Sequence, residues 1–312
     1  MLVAQQERYE VRGHIGRGTR GRVLRAVDSH NECQVAIKLL SPNIAPDPFL
    51  ESMARAASIS HPNVLRILEY GNMASGQPYC AMEVVDGPDF GTLGQALLFA
   101  SLETWGVSMD GFGLADIMDL MIDVCDGVHA AHEAGVIHRD IKPQNILLER
   151  ATYRAVLADW DLCCDASHPA SSRTQGSASY LAPECFAEHP RYNALTDIYA
   201  LGATLYTIID GSPPYIRRNA PVDFPAFLTR LREESPGIPA ERINKQAISW
   251  MIRRRPPTPL GPTARGTRGF EGPRVPGPLV QVVERAMARK PSDRFQSAKA
   301  LGQALAAALR EL

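Results

Sequence analysis

The sequence predicts an α+β fold, and three observations carry that expectation. Strand-like alternation fills most of residues 9–85, with one helix-like stretch inside it. From Leu114 onward, apolar residues recur mainly at helical spacing. After the first long helical stretch comes the loop His138-Arg139-Asp140-Ile141-Lys142-Pro143-Gln144-Asn145, which gathers an acid, a base and an amide in Asp140, Lys142 and Asn145. Its proline discourages helix, so a fixed backbone presents these side chains. An acid can accept a hydroxyl proton, a lysine can neutralise a moving phosphoryl group, and an amide oxygen can hold a metal ion.

The elements follow in order. Tyr9–Ile15 and Leu24–Val27 read as strands flanking Gly16-Arg17-Gly18-Thr19-Arg20-Gly21-Arg22-Val23, and Val35–Leu40 reads as a third. Gly16, Gly18 and Gly21 let backbone N–H groups approach phosphates. A strand rather than a helix follows them, which disfavours a dinucleotide-binding fold. Pro42–Pro48 reads as a connection, and Phe49–Ile59 as a short helix stopped by His61-Pro62. Val64–Tyr70 and Pro78–Val85 bring the sheet to about five strands.

Gly94–Gly113 reads as a glycine-punctuated insertion, and Leu114–Ala134 as a helix with Gly135 as its C-cap. His129 and His132 are three apart on that helix, but no third metal ligand is evident, and core or surface roles fit them better. Ile146–Leu148 and Ala155–Ala158 form a hairpin that delivers Asp159-Trp160-Asp161. Leu162–Ser179 is polar and rich in small residues. Thr196–Ile209 is an apolar helix, and Phe224–Glu233 has helical spacing. Residues 216–275, with Arg253-Arg254-Arg255 running into Pro- and Gly-rich sequence, read as a solvated, flexible insertion. Leu279–Ala288 and Ser297–Leu309 are closing helices.

The loop at 138–145 resembles the catalytic loop of the eukaryotic-type (Hanks-type) serine/threonine protein kinases, and the other motifs occur in that family's order. They are the glycine-rich turn, Val35-Ala36-Ile37-Lys38, Asp159-Trp160-Asp161, Ala182-Pro183-Glu184, Asp197 and Pro291-Ser292-Asp293-Arg294-Phe295. The resemblance implies a two-lobe fold over residues 9–309. A small antiparallel sheet with one helix spans 9–83, a hinge spans 84–89, and a larger, mainly helical lobe spans 90–309, with insertions near 94–113 and 216–275. It implies ATP and Mg2+ as cofactors. Ile15, Gly16, Gly18, Gly21, Val23, Ala36, Lys38, Glu83, Val85, Leu147 and Asp159 would bind the nucleotide. Asn145 and Asp159 would hold the metal. Asp140 would accept the hydroxyl proton and Lys142 would steady the γ-phosphate. Lys142 points to the serine/threonine class, and the closing signature and compact build are similar to bacterial members. The resemblance further implies that Asp197 supports the catalytic loop, that Arg294 pairs with Glu184, and that Ser167, Ser171, Ser172, Thr174 or Ser177 accepts phosphate, Thr174 being the chosen candidate.

Three positions depart from the family pattern. Arg20 stands at the turn where an aromatic residue is usual. The helix glutamate that partners the strand lysine should lie three residues after Phe49 and nine before His61, which is Ser52. The neighbouring Glu51 is about 100° round the helix. Either a register shift swings Glu51 to Lys38, or Glu51 is solvated and the pair is missing. Asp161 replaces a glycine, which should limit flipping of the triplet and adds negative charge near the phosphates. Ala56 leaves room for the larger indole of Trp160. A pseudokinase that binds without transferring phosphate is therefore the alternative reading. A small-molecule phosphotransferase is disfavoured by the Ala182-Pro183-Glu184 ending.

Composition excludes other classes. Lys and Arg number 33 against 34 Asp and Glu, a net charge of −1, which gives no support to nucleic-acid binding. No run approaches the length of a membrane span and the N-terminus lacks a signal-peptide pattern, so a cytoplasmic location with nothing appended is expected. The six cysteines carry no CxxC spacing and read as reduced thiols. The expected partners are ATP and a protein substrate; oligomeric state is not legible.

Overall fold

Five strands form one antiparallel sheet: β1 (Tyr9–Gly18), β2 (Gly21–Asp28), β3 (Cys33–Leu40), β4 (Ile67–Asn72) and β5 (Pro78–Met82), in the order β1-β2-β3-β5-β4. In this computed structural model the described residues are 8–93, 114–167, 174–215, 224–234, 240–254, 257, 260, 263–265 and 271–311. Strand alternation places Ala36 and Lys38 on one face of central strand β3, with Lys38 opposite Val23 on β2 and Cys80 on β5. The β1–β2 turn is tight because Gly21 lies against β3, where a Cβ would stand 2.2 Å from the Leu39 carbonyl oxygen. Gly16 and Gly18 face open space on their side-chain side.

The sheet boundaries differ slightly from expectation. Val64 and Leu65 lie outside β4; Val64 bridges to Leu157, so this end of the segment is tied to the second lobe instead. The helix α1 (Pro46–Ala57) begins three residues before Phe49, because prolines in a first turn forgo only N–H groups that have no intrahelical partner. It buries Phe49, Ser52, Met53 and Ala56.

The second lobe is built on α2 (Leu114–Glu133), ended by Gly135 at φ +75°, and on α3 (Ala194–Asp210). Asn193 caps α3: its Oδ1 accepts from the Leu195 N–H at 2.9 Å, while Thr196 Oγ1 accepts from the Asn193 N–H at 3.3 Å. That capping fixes Asp197 in the first turn. Helices α6 (Gly277–Ala286) and α7 (Ala298–Leu309) close the lobe, the latter capped by Ser297. One apolar cluster runs from Phe49 and Met53 of α1 through Trp160 to α2, α3 and α7, so the lobes share a core.

Residues 216–275 correct the expectation of a purely solvated insertion. Beside the anticipated helix α4 (Phe224–Glu233) stands an unanticipated α5 (Ala240–Arg254). Ala247, Met251 and Ile252 are buried, and Trp250 stacks on Phe227 with centroids 4.8 Å apart. Arg254 ends α5, and a short strand pair follows at Thr263–Arg265 and Glu271–Arg274. The insertion expected at 94–113 lies outside the described residues.

Candidate active site

Between β6 (Val136–Ile137) and β7 (Ile146–Glu149), the chain makes the predicted loop and one 3-10 turn, Pro143–Asn145. Asp197 anchors it from the start of α3. Its two carboxylate oxygens accept from the backbone N–H groups of His138 at 2.8 Å and Arg139 at 3.0 Å, and one also meets His132 Nε2 at 2.9 Å. His132 is thus a second-lobe strut, in keeping with its non-metal reading. His138 Nδ1 accepts from the Asp140 N–H at 3.2 Å, so its Nε2 carries the proton donated to the Ala158 carbonyl at 3.1 Å. Arg139 sits at φ +73°, with its guanidinium over the Tyr192 ring.

This anchoring predicts a pH dependence. Burial pushes the His138 imidazole below its usual range, against the pull of Asp197 and Asp140. Below about pH 6.5 the unfolded chain takes up a proton there that the fold refuses, so stability falls as pH drops toward the folded value. Asp197 acts with the same sign at lower pH. Burial opposes its charged form, but His132, His138 and the Arg139 N–H together outweigh it and hold the carboxyl below its usual range, a contribution lost as pH falls through the folded value. Denaturation midpoints at about pH 7.5, 6 and 5 should fall in that order; a flat or rising series would contradict this account.

Asp140 is held at both oxygens. Oδ1 accepts from the Ser177 N–H at 2.7 Å; Oδ2 accepts from Lys142 Nζ at 2.7 Å and Asn145 Nδ2 at 3.2 Å. Lys142 also donates to Ser177 Oγ at 2.9 Å. Ser177, expected as a phosphate acceptor in an open loop, instead belongs to this cluster. Nothing in its residue type distinguishes it from its neighbouring serines. Gly176 precedes it at φ +96°, where a Cβ would meet the Arg139 carbonyl at 2.5 Å, so glycine alone lets the segment lie this close. Thr174 is half-buried, with Oγ1 donating to the Cys185 carbonyl at 3.0 Å. Ser171 and Ser172 lie outside the described residues.

The hairpin of β7 and β8 (Arg154–Leu157) delivers Asp159, at φ +64° and ψ +61°. Trp160 turns inward under α1; it is 1% exposed, lies edge-on to His138 with centroids 4.4 Å apart, and donates Nε1–H to the Leu157 carbonyl at 3.1 Å. Asp161 adopts no positive φ, so the loss of glycine costs nothing in this conformation. Its carboxylate points at Lys38, whose Nζ lies 2.5 Å from Asp159 Oδ1 and 2.7 Å from Asp161 Oδ2. Arg20 Nε donates to the same Asp161 oxygen at 3.3 Å. Burial works to lower the Lys38 ammonium, but the two carboxylates outweigh it and raise it. For Asp159 burial works upward and Lys38 prevails, holding it low. Asp161 is raised, by burial first, against the pull of Lys38.

Glu51 does not reach this cluster. Its side chain is 64% exposed and accepts from Arg55 at 3.3 Å one turn on, so the register-shift arrangement is ruled out. Ser52 is buried, with its one hydroxyl proton shared between the Pro48 carbonyl at 2.9 Å and the Cys163 carbonyl at 3.2 Å. Cys163 Sγ donates back to the Ser52 carbonyl at 3.2 Å. The helix is thereby stitched to the chain just past Asp161.

All eleven residues expected at the nucleotide line one cavity of about 320 Å³, together with Met82, Val84 and Ala158. Ile15, Val23, Ala36 and Leu147 are its apolar walls, and the Glu83-Val84-Val85 segment its back edge. The Glu83 N–H is already spent on the Arg66 carbonyl at 3.1 Å, which leaves its carbonyl for an incoming donor. An adjoining cavity of about 490 Å³ is lined by Lys38, Asp140, Lys142, Asp159, Ser177 and the loop tip at Thr19 and Arg20. Asp159 is on both walls. Asn145 is 6% exposed and sits behind Asp140, on neither wall; its Nδ2 is turned to Asp140, so Oδ1 is the atom with which it could hold a metal. Two oxygen donors of this kind, one carboxylate and one amide, fit a hard divalent cation that takes its other ligands from phosphate and water.

Comparison with known proteins agrees with this geometry. The profile of the protein kinase domain matches residues 9–304. Serine/threonine-protein kinase PknE of Mycobacterium tuberculosis is 32% identical over 310 residues, spanning 96% of this chain and 46% of that protein. Probable serine/threonine-protein kinase PknB of Corynebacterium glutamicum is 29% identical over 309 residues, spanning 94% and 41%. The chain thus spans less than half the length of these relatives. The solved PknI kinase domain of Mycobacterium tuberculosis shares its fold, with a TM-score of 0.60 at 23% identity over 96% of each chain. With the family's motifs falling in order along the matched residues, the chain belongs to the protein kinase family, in the company of its bacterial serine/threonine members.

Proposed function

We propose that this chain transfers the γ-phosphoryl group of ATP to a serine or threonine hydroxyl of a protein, its own segment at Leu162–Ser179 included. The observation that carries the reading is Asp140, fixed through both oxygens on a wall it shares with Lys142, Lys38 and Asp159. Asp140 orients the acceptor hydroxyl and takes its proton. The hydroxyl oxygen forms the new bond to phosphorus as the bond to the bridging oxygen breaks and ADP leaves. Lys142 offsets negative charge on the moving group, and Lys38 that on the phosphates behind it. Magnesium, held by Asn145 and Asp159, would neutralise the phosphates and fix their orientation. The Glu83 carbonyl and the Val85 backbone would take the adenine edge. A cytosolic setting, where ATP is at hand, fits the free thiols.

The crowding of Lys38 by two carboxylates favours a second reading, a module that binds nucleotide without transferring phosphate. The experiment that separates them incubates the purified chain with labelled ATP, magnesium and a generic protein acceptor. Label should enter wild type and fall about a hundredfold or more in Lys38→Met, since one positioning cation is lost. Nucleotide-dependent thermal stabilisation with no label above Lys38→Met supports the binding module instead.

A further inference from the structure

The three positions that depart from the family pattern line one cavity, but only two of them take part in the Lys38 cluster. Ser52 cannot reach Lys38, because its hydroxyl is engaged by Pro48 and Cys163. Glu51 is turned to solvent and to Arg55. Asp161, which stands where the family has glycine, puts a carboxylate 2.7 Å from Lys38 Nζ with only 3% of its side chain exposed. Arg20, which stands where an aromatic is usual, reaches the same oxygen at 3.3 Å from the tip of the β1–β2 turn.

We propose that Asp161 is the positioning residue for Lys38, in place of the missing helix carboxylate, and that with Arg20 it latches the phosphate-binding turn to the metal-holding triplet. The charges balance: two cations, Lys38 and Arg20, face two carboxylates, Asp159 and Asp161, and the attraction is strongest between the largely buried Lys38 and Asp161. The lysine is therefore aligned from the Asp159-Trp160-Asp161 segment and not from α1. In this chain α1 contributes no carboxylate to Lys38 and acts on it only through the stitch from Ser52 to Cys163, two residues past Asp161, whereas the glycine-rich turn acts on the same carboxylate directly through Arg20. The inference rests on the proposed kinase reading, and its test is chosen to separate the two.

The test compares wild type with Asp161→Asn, Arg20→Ala and Glu51→Gln, and with Asp161→Gly alone and joined to Ser52→Glu. The double variant restores the family's usual pairing. Three readouts are taken: kcat and KM for ATP, affinity for a fluorescent ATP analogue, and the rate at which an amine-acylating reagent labels Lys38, followed by mass spectrometry of its peptide. Lys38 is one of five lysines in the chain, so its peptide is readily resolved. Asp161→Asn should lower kcat/KM and analogue affinity by about tenfold to a hundredfold and speed acylation of Lys38. Arg20→Ala should raise KM for ATP with a smaller loss, and Glu51→Gln should match wild type in all three. Ser52→Glu should return at least about tenfold of what Asp161→Gly loses. Activity in Asp161→Asn equal to or above wild type overturns the inference, as does a folded double variant no better than Asp161→Gly. If wild type neither binds nor turns over ATP, the kinase reading fails alone, because Lys38 acylation still reports whether Asp161 holds the lysine.

Discussion

Asp140→Asn should cut phosphotransfer by about 10²–10⁴-fold while leaving the affinity for ATP within a few fold. The amide keeps the shape of the carboxylate but cannot accept the hydroxyl proton. It also places an NH2 group where the structure supplies only donors, since Ser177 N–H and Lys142 Nζ both point at Asp140. One of those bonds must break, and Lys142 has an alternative partner in Ser177 Oγ at 2.9 Å. The change should therefore appear in kcat and not in nucleotide binding, whose wall at 15–38 and 83–85 does not touch Asp140. The measurement is initial rate against ATP concentration, paired with analogue affinity. A variant retaining more than about a tenth of wild-type kcat would remove Asp140 from the chemistry, and with it the mechanism proposed above.

What the chain reveals by inspection divides along a physical line. Residues 138–145, Lys38 and Asp159 were legible because each is bound to a local backbone feature: a proline-stiffened loop, a central strand, a hairpin end. Their chemistry travels with their neighbours in sequence, and the structure gathers them around adjoining cavities. The contacts of Asp161 were not legible, because its partners lie 123 and 141 positions away. From the sequence a carboxylate there is added negative charge near the phosphates, and only the fold shows which cations face it. Arg20 was uninterpretable for the same reason. Ser52 illustrates the converse: the motif located the vacancy correctly, but the fate of Glu51 depended on helix register, and α1 keeps its regular register so that the pairing position remains the serine. Helix α5 was hidden by composition. Its buried positions Ala247, Met251 and Ile252 crowd into one short stretch, flanked by the charged residues at 241–245 and 253–254 and by Pro-rich sequence, so no long apolar periodicity marks the helix.

The stitch between α1 and the triplet bears on the binding-module alternative. A helix that had merely lost its glutamate would be free to drift. Here Ser52 and Cys163 exchange two hydrogen bonds across the site, and burial pushes the Cys163 thiol up to about 12, so it stays a protonated donor. Trp160 packs under α1, in the same apolar cluster as Met53 and Ala56. The departures thus form one packed arrangement rather than scattered decay, which is the pattern expected where lysine alignment still matters to function.

Arg294→Ala should be the most damaging single change to stability, at about 3–5 kcal/mol. The guanidinium side chain has no exposed surface and makes a bidentate pair with Glu184, at 2.6 and 2.8 Å. Its remaining N–H groups donate to the carbonyls of Ala288, Leu195 and Arg289 at 2.7, 2.9 and 3.2 Å, and its plane lies 5.0 Å from the Tyr199 ring centroid. Truncation empties that volume, orphans three carbonyls and leaves Glu184 without its cation, so cavity and desolvation terms act together. Glu184→Gln leaves the backbone acceptors in place but removes the charge and turns one acceptor oxygen into an NH2 that faces an Arg294 N–H, and should cost less than the truncation. Because Glu184 closes the segment that carries Ser177 to Asp140, both variants should also lose activity, in the same rank order as their stability. Thermal midpoints and chemical denaturation of the two proteins check this. If Arg294→Ala melts within about 2 °C of wild type, the pair does not tie the substrate-facing segment to the closing helices.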